Sequence, residues 1–249
     1  MATGNCLIGT SGWSYADWGR GRFYARGVKQ RDWLALYSQR FPTVEINASF
    51  YRVPRPEVVA RWAEMTGVGF VFAAKLWRQI THFSKLRDTS EQLDYFFAAL
   101  GELGAKRGPL LIQLPPSLEV EHQRLEVFLD EVTARCRPGP WRMAVEFRHA
   151  SWLCPPVYRL LDHRGAAVCL SDMPGCLVGQ PNDAGFAYVR RHGSLGGYRG
   201  GYSAAEIDAD AAHVCRWRDA GMDVYVYYNN DIEGHAVDNA TSLLAAVRS

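Results

Sequence analysis

The sequence predicts an α/β protein folded as a single (β/α)8 barrel of the TIM type. Eight short apolar runs have the composition of strands, amphipathic helical patterns lie between most of them, and the chain has 249 residues. A length near 250 residues is usual for one such barrel. The chain shows no internal repeat, low-complexity tract or linker of distinct composition, so residues 1–249 are expected to form one domain.

The predicted strands are short runs of apolar residues, several of which end in polar side chains. Their number and the chain length favour the barrel over a doubly wound open sheet, which is the competing architecture. In chain order they are Leu7–Thr10, Thr43–Asn47, Phe70–Lys75, Leu110–Gln113, Met143–Phe147, Ala166–Leu170, Phe186–Arg190 and Asp223–Tyr228.

Apolar residues three and four positions apart predict the helices between these strands. Pro56 stands at an expected first-turn position, and another helix is expected to follow Pro155 and Pro156 and to stop at Gly165. One step is irregular, because Ser171–Gly185 is rich in proline, glycine and asparagine and is predicted to form a loop instead of a helix. The helices are marked by Leu34 and Tyr37, Val58 and Met65, Leu93 and Leu100, Leu125 and Val132, Val157 and Leu161, Ile207 and Trp217, and a last helix from about Ala236 to Val247.

Polar side chains gather at or just past the carboxyl ends of the predicted strands. Residues two apart share a face of a strand, as Glu45 and Asn47 do. The outward face of a barrel strand packs on helices and should be apolar, so the polar set is predicted to face the mouth, where such barrels carry out chemistry. A salt-bridge and amide network that plugs the top of the barrel is the alternative, since buried charges are costly unless paired. The set comprises Glu45, Asn47, Lys75, Gln113, Glu146, Arg148, Arg190, His192 and Asn229.

These residue types suit acid–base chemistry on a polar or phosphorylated substrate. Glu45 and Glu146 could act as acid and base if their environments separate their pKa values, and His192 could shuttle a proton. Lys75 is expected to stabilise a developing anion, with a Schiff base on the same amine as an alternative. The predicted catalytic residues are Glu45, Lys75, Glu146 and His192, and the predicted substrate-binding residues are Ser11, Trp13, Asn47, Tyr51, Gln113, Arg148, Arg190 and Asn229.

Cofactor use is left open by the sequence. It has no GxSxG elbow, P-loop or dinucleotide fingerprint. A divalent metal is one interpretation of the carboxylates and histidines near strand ends, and ion pairing of the carboxylates with Arg and Lys is the other. The glycine-rich segment 193–201 could bind phosphate after the seventh strand, or form an ordinary surface loop. The candidate metal ligands are Glu45, His82, Glu146, His149, Asp172, His192, Asp231 and His235.

Composition restricts the partners and the location. The formal net charge of +2 argues against a dedicated duplex-coating protein, although a local basic patch is compatible with it. The sequence lacks a run of about 20 apolar residues, so no membrane span is expected. Residues 1–5 lack the features of a secretory signal, and six scattered cysteines without a CxxC pair suit a reducing compartment. The expected location is the cytoplasm.

Several motifs are spread along the chain, namely residues 9–15, 44–51, 81–82, 108–109, 113–116, 145–149, 229–231 and 239–240, together with Tyr188, Arg190, His192 and Gly193. Together they resemble the DUF72 family of YecE-like proteins. The resemblance implies a TIM-barrel-like fold and leaves the activity open, because the family is named for its unknown function. Two positions depart from the family's pattern: Ala48 stands where a small hydroxyl residue is expected, and Arg191 where an apolar one is expected.

Three functions remain in competition from the sequence. The first is an enzyme that acts by acid–base chemistry in the barrel mouth on a small polar or anionic molecule. The second is a metal-dependent phosphodiester hydrolase acting on nucleic acid, by analogy at the level of the fold. The third is a non-catalytic module that binds nucleic acid, for which aromatic and basic residues around the mouth would be the contact surface.

Overall fold

Eight parallel strands follow one another around the sheet in chain order. The structure is a computed structural model that describes residues 3–137 and 139–248. Every strand predicted from the sequence is present, with its bounds shifted by at most three residues. The strands are β1 (Cys6–Thr10), β2 (Thr43–Ile46), β3 (Val71–Lys75), β4 (Arg107–Gln113), β5 (Arg142–Glu146), β6 (Ala167–Ser171), β7 (Phe186–Arg191) and β8 (Asp223–Tyr228).

The ring closes where β1 meets β2, and a tyrosine completes that seam. The two strands share an isolated bridge between Ser11 and Glu45 in place of a regular ladder. Thr10 donates its backbone N–H to the Tyr37 hydroxyl at 2.9 Å, and that hydroxyl donates to the Thr43 carbonyl at 3.1 Å. A Cβ at Gly9 would lie 2.1 Å from the same carbonyl oxygen, so only glycine fits there. The phenol therefore takes the place of a missing backbone hydrogen bond.

Helices cover the outside of the strands, mostly where the sequence predicts them. Residues 172–185, all of which the structure describes, contain no helix, which confirms the predicted irregular step between β6 and β7. The sequence analysis did not predict the single turn α2. The helices are α1 (Trp33–Ser38), α2 (Ala48–Tyr51), α3 (Pro56–Met65), α4 (Ser90–Leu100), α5 (His122–Cys136), α6 (Pro155–Arg164), α7 (Ala204–Asp219) and α8 (His235–Ala246).

One prediction about strand faces is wrong because of α2. Asn47 was assigned to the second strand, on the same face as Glu45. The strand ends at Ile46, and Asn47 has the helical backbone angles φ −81° and ψ −24° as the residue before α2. Alternation of side chains therefore stops one residue earlier than the sequence suggested, and Asn47 does not follow Glu45 into the mouth.

The interior of the ring is filled with side chains below the mouth. An inner apolar cluster contributed by the strands includes Tyr188, Tyr225 and Tyr227, together with small residues such as Ala73 and Ala144. At the amino-terminal end of the ring, Arg142 pairs with Asp223 at 2.7 Å and lies over the Phe186 ring. The barrel interior is therefore a packed core, as in TIM-type barrels generally.

Arg191, the departure from the family's pattern, is accommodated by α7. It faces the helices, and its Nε donates to Asp210 Oδ2 at 2.9 Å. The Tyr228 hydroxyl donates to the same carboxylate oxygen at 3.3 Å. The helix supplies the carboxylate that a buried guanidinium requires, so an ion pair replaces apolar packing at this point.

Two further expectations concern cysteines and membranes. All six cysteines are free thiols, and Cys169 belongs to the inner cluster of the barrel. Among residues 3–137 and 139–248, every helix is too short or too polar to traverse a lipid bilayer.

Candidate active site

Arg190 lies at the centre of the mouth and is fully buried. It is the last inward-facing residue of β7, and its guanidinium bridges carboxylates from two other strands. Its Nε and Nη2 donate to the Glu45 carboxylate at 3.0 and 2.9 Å, and its Nη1 donates to Glu146 Oε2 at 2.7 Å. The planar fork of arginine suits this two-sided pairing. We call Arg190, Glu45 and Glu146 the ionic core of the mouth.

The ionic core is held in its charged form. Burial alone would raise the pKa of Glu45, but the Arg190 charge and two hydroxyl donors hold it below its ordinary value. Burial opposes ionisation of Glu146 as well, and Arg190 and Arg148 nevertheless hold its pKa well below the ordinary value. Burial would lower the pKa of Arg190, and the two glutamates raise it well above the ordinary value. Both carboxylates are therefore ionised at neutral pH.

Glu45 is occupied on both oxygens. Ser11 donates its hydroxyl to Oε1 at 2.5 Å, and Tyr188 donates its hydroxyl to Oε2 at 2.6 Å. Together with the two hydrogen bonds from Arg190, these contacts give each oxygen of the Glu45 carboxylate two donors within the protein. Ser11, a predicted substrate-binding residue, is thus part of the support of Glu45. The role of Tyr188 as a donor to Glu45 was not predicted from the sequence.

His192 lies on the other side of Glu146 and is oriented by Asp172. The imidazole Nδ1 is 3.1 Å from Asp172 Oδ1, which also accepts the backbone N–H of His192 at 2.9 Å. In the neutral ring Nδ1 therefore carries the proton and donates a hydrogen bond to the carboxylate, which leaves Nε2 as an acceptor. Nε2 lies 3.1 Å from donor nitrogens of both Arg190 and Arg148, and 3.2 Å from Glu146 Oε1. Protonation of Nε2 would turn that last contact into an ion pair.

Arg148 reaches the edge of this network. Its Nη2 lies 2.7 Å from Glu146 Oε1, and its side chain is 10% exposed. Nη2 also approaches Gln113 Oε1 at 3.5 Å. Nε is buried without an acceptor, and no hydrogen bond joins Nη1 to any residue in 3–137 or 139–248. Arg148 therefore has hydrogen-bonding capacity that the protein does not use.

Lys75 is the least paired charge at the mouth. It ends β3, is 6% exposed, and its Nζ lies 3.9 Å from the centroid of the Phe50 ring. Within the described part of the chain, no carboxylate lies within 4.0 Å of that nitrogen. Burial and the positive charge of Arg190 lower its pKa to about 7, although Glu146 and Glu45 counteract them. Desolvation and nearby like charge both disfavour an ammonium ion.

His82 and Gln113 border Lys75. The His82 ring meets Phe50 edge-on with centroids 4.9 Å apart, and its Nε2 is 3.5 Å from Gln113 Nε2. Burial, followed by the charge of Lys75, lowers the pKa of His82 to about 4, so this ring is neutral at pH 7. The sequence analysis named His82 only as a candidate metal ligand. Its Thr81-His82 motif was the available signal for a place at the mouth.

Three predicted substrate-binding residues lie elsewhere. Trp13, Asn47 and Tyr51 line a cleft of about 640 Å³ beside the barrel, on the side of α2 away from Lys75. Asn229 does follow β8 at the mouth and is buried, but its backbone N–H bonds to the Arg191 carbonyl at 2.7 Å. No hydrogen bond joins its side chain to any residue that the structure describes.

Metal ligation and phosphate binding find little geometric support. Among the described residues, no three His, Cys, Asp or Glu side chains are grouped so that they could hold a metal ion. The glycine-rich segment is tied down by its neighbours, since Gly193 N–H donates to the Tyr202 hydroxyl at 2.8 Å and Asn230 Nδ2 donates to the Gly200 carbonyl at 2.8 Å. Tyr202 donates in turn to Asp172. This segment therefore supports His192 through Asp172.

Fold and site define a (β/α)8 barrel protein with a buried ionic network at the carboxyl ends of its strands. The chain belongs to the DUF72 family: the family model described as "Protein of unknown function DUF72" matches residues 7–249. Both the barrel and the family membership expected from the sequence are thereby confirmed.

Relatives of known sequence or structure agree. UPF0759 protein YecE of Escherichia coli K12 is 33% identical over 143 residues, which are 57% of this chain and about half (48%) of that protein. UPF0759 protein YunF of Bacillus subtilis is 25% identical over 268 aligned positions, covering 95% of this chain and 93% of YunF. A DUF72 family protein of Thermotoga maritima has a similar crystal structure, with a TM-score of 0.85 and 25% identity over 98% of this chain and 100% of that one.

Proposed function

We propose that this protein is an enzyme that moves a proton on a small polar, anionic substrate at the mouth of the barrel, with Lys75 as the proton-transfer group. The observation that carries the proposal is the environment of the Lys75 amine. It is almost fully buried, lies against Phe50, and has no carboxylate partner within 4.0 Å in the described chain. A pKa near 7 gives an amine the balance of basic and acidic forms that general acid–base catalysis at neutral pH requires.

The anionic part of the substrate is assigned to Arg148 and Gln113. Both lie at the outer edge of the ionic network, and Nη1 of Arg148 makes no hydrogen bond with any described residue. Gln113 can add an amide donor from the neighbouring strand. A carboxylate or phosphate bound here would supply the negative charge that Arg148 lacks on its outer side.

The two glutamates are assigned a fixed electrostatic role. Their pKa values lie below the ordinary range, so neither is suited to donate a proton at neutral pH. Both carboxylates pair with the Arg190 guanidinium and fix its orientation. Glu146 Oε1 also lies 3.2 Å from His192 Nε2. We assign His192 a role in relaying or balancing a proton beside Glu146 during turnover.

The test measures the proton affinity of Lys75 directly. The chain has four lysines, so a protein labelled with ¹³C at lysine Cε gives four signals, and Lys75→Met identifies the one of interest. We expect its midpoint near pH 7, and the signal of the exposed Lys29 serves as the internal comparison. A midpoint above about 9 for Lys75 would overturn the proposal, because the amine would then be protonated throughout the working range.

Substrate turnover gives the second arm of the test. A panel of 2-oxo acids, hydroxy acids and sugar phosphates is incubated with the protein in D₂O, and deuterium incorporation is followed by NMR. We expect incorporation that disappears in Lys75→Met and is weakened in Arg148→Gln. Incorporation that persists at the wild-type rate in Lys75→Met would assign the proton transfer to another group.

A Schiff base on Lys75 is the second candidate function. It is favoured by one observation, namely that the amine is desolvated and close enough to Arg190 and Arg148 for both charges to lower its pKa. That is the arrangement that makes a lysine nucleophilic toward carbonyl compounds. The amine would condense with a ketone or aldehyde and release water. Borohydride reduction in the presence of pyruvate should then give a stable adduct located on Lys75 by peptide mass spectrometry, and absence of the adduct would favour proton transfer alone.

A further inference from the structure

A cleft separate from the mouth lies between the segment after β1, helix α1 and helix α3. It measures about 640 Å³, within the range of small-molecule sites in proteins. Most of its wall is apolar, and α2 forms its boundary on the side of the barrel mouth. The side chains used in the argument below are Trp13, Arg31, Asn47, Arg61 and Trp62.

The walls of the cleft are fixed before anything binds. Trp13 and Trp62 meet edge to face with ring centroids 5.1 Å apart. The Tyr24 hydroxyl donates to the Trp13 carbonyl at 2.6 Å, and Gln30 Nε2 donates to the Ser14 hydroxyl at 2.7 Å. A site that is already ordered loses little conformational entropy on binding, so its apolar surface can be used for affinity.

One wall carries an amide oxygen that the protein leaves unsatisfied. Asn47 Oδ1 is inaccessible to solvent and accepts no hydrogen bond from any residue in 3–137 or 139–248. Buried polar atoms almost always have partners, and an orphaned one calls for an explanation. Because Asn47 lines the cleft, a turn of its side-chain amide toward the cleft would bring Oδ1 against a ligand N–H or O–H, which would supply the missing bond.

The charge of the cleft is positive. Arg31 and Arg61 are both among the fourteen described residues that line it, and none of the fourteen is acidic. Arg61 is exposed and has no carboxylate within 4.0 Å in the described chain, whereas Arg31 has only a loose contact with Asp32 at 3.8 Å. Two arginines beside an aromatic wall attract a ligand that carries a carboxylate or a similar anion.

Helix α2 separates this cleft from the proton-transfer site. Ala48 and Tyr51 line the cleft, whereas Phe50 lies over Lys75 Nζ and Ser49 donates to the Lys75 carbonyl at 2.6 Å. The two sites therefore have different walls and different charged groups.

We propose that this cleft is a binding site for a small aromatic anion that also carries a hydrogen-bonding N–H or O–H. The aromatic part packs with Trp13 and Trp62, the polar hydrogen pairs with the Asn47 amide, and the anionic group pairs with Arg61 and Arg31. The three parts of the ligand thus match the aromatic wall, the unpaired amide oxygen and the two arginines of the cleft. The site is independent of the reaction proposed for the mouth.

The test uses indole-3-acetate as a probe, since it has a ring N–H, an aromatic surface and a carboxylate. Binding is measured by isothermal titration calorimetry against two matched compounds, 1-methylindole-3-acetate without the N–H and 3-methylindole without the carboxylate. We expect saturable one-to-one binding of indole-3-acetate, weakened at least about threefold by loss of either group. Asn47→Leu should abolish the preference for the N–H compound, and Arg61→Gln the preference for the carboxylate.

Lys75→Met is the control for location, because it alters the mouth and leaves the cleft walls unchanged. Retained affinity in Lys75→Met with reduced affinity in Arg61→Gln supports the proposal, with folding of each variant checked by circular dichroism. The proposal is overturned if indole-3-acetate shows no saturable binding up to about 5 mM, a concentration that would detect even weak sites. It is also overturned if the three compounds bind equally, or if Lys75→Met alone removes binding.

Discussion

The side chain of Lys75 enters the mouth because β3 ends with that residue on its inward face. Burial of the amine, followed by the charges of the ionic network, sets its proton affinity. Arg148 is among the charges that lower the Lys75 pKa to about 7. The property on which the proposed function rests is therefore adjustable from a neighbouring side chain.

Arg148→Gln should raise the pKa of Lys75. Removing one nearby positive charge favours the ammonium form, by an amount between a few tenths and about one pH unit for partly screened charges. Lysine Cε NMR titration measures the shift, and Arg31→Gln is the matched control because Arg31 lies in the cleft beyond α2. An unchanged or lowered midpoint in Arg148→Gln would contradict the electrostatic account of Lys75.

Glu146→Gln should be strongly destabilising. The substitution leaves Arg190, Arg148 and His192 buried together without the carboxylate that they share. Breaking a buried ion pair on one side typically costs about 3–5 kcal/mol in the free energy of unfolding. Urea denaturation at pH 7 provides the measurement, with the exposed Glu57→Gln as the control, for which stability close to the wild type is expected. A Glu146→Gln protein as stable as the control would mean that the ionic core contributes nothing to folding.

Among the elements of the fold, the seam between β1 and β2 depends on one side chain from α1. The Tyr37 hydroxyl accepts from Thr10 and donates to Thr43 where the strand ladder is incomplete. A helix residue thus completes a sheet contact, and the barrel closes through a side chain.

Tyr37→Phe should open this seam without emptying the core. The ring remains, but a buried backbone N–H and a carbonyl lose their partner, which costs about 1–3 kcal/mol. Urea denaturation should show the loss, and amide hydrogen exchange at Thr10 should become faster. Tyr95→Phe on α4 is the control, since Tyr95 is 56% exposed and is expected to be neutral. Equal exchange at Thr10 in both variants would argue against the bridging role.

Elements also mark the limit of what the sequence could predict. Alternation along β2, β5 and β7 correctly brought Glu45, Glu146 and Arg190 to one mouth, because period-two geometry is local. The same rule failed at Asn47, since a four-residue helix has no periodic pattern long enough to recognise. The sequence could not predict which carboxylate pairs with which cation, or that Trp13 and Tyr51 lie in a separate cleft. Both depend on contacts between segments that are distant in the sequence.

For the whole molecule, the buried charges predict how stability depends on pH. The pKa of Glu146 is lowered on folding, so its stabilising contribution is complete above the unfolded value of about 4.5 and is lost as the pH falls through the folded value. Lys75 affects the stability of the fold in a different pH range. Between its folded pKa of about 7 and its unfolded value of about 10.5, the unfolded chain holds a proton that the folded chain has released. Stability from this group therefore rises with pH across that window.

Lys75→Met should remove that rise. At pH 6 the variant is expected to be more stable than the wild type, because it does not bury an unpaired ammonium, and the difference should shrink by roughly 3 kcal/mol between pH 7 and about pH 9.5. Urea unfolding of both proteins at a series of pH values gives the difference directly, and the titration of tyrosines and cysteines that both proteins share cancels in it. A difference that does not change with pH would mean that Lys75 keeps its ordinary proton affinity in the folded state.

The tyrosines that fill the ring and the Arg142–Asp223 pair at its amino-terminal end block passage along the barrel axis. A compound bound at the carboxyl ends of the strands would therefore have to enter and leave the site on that same side of the barrel.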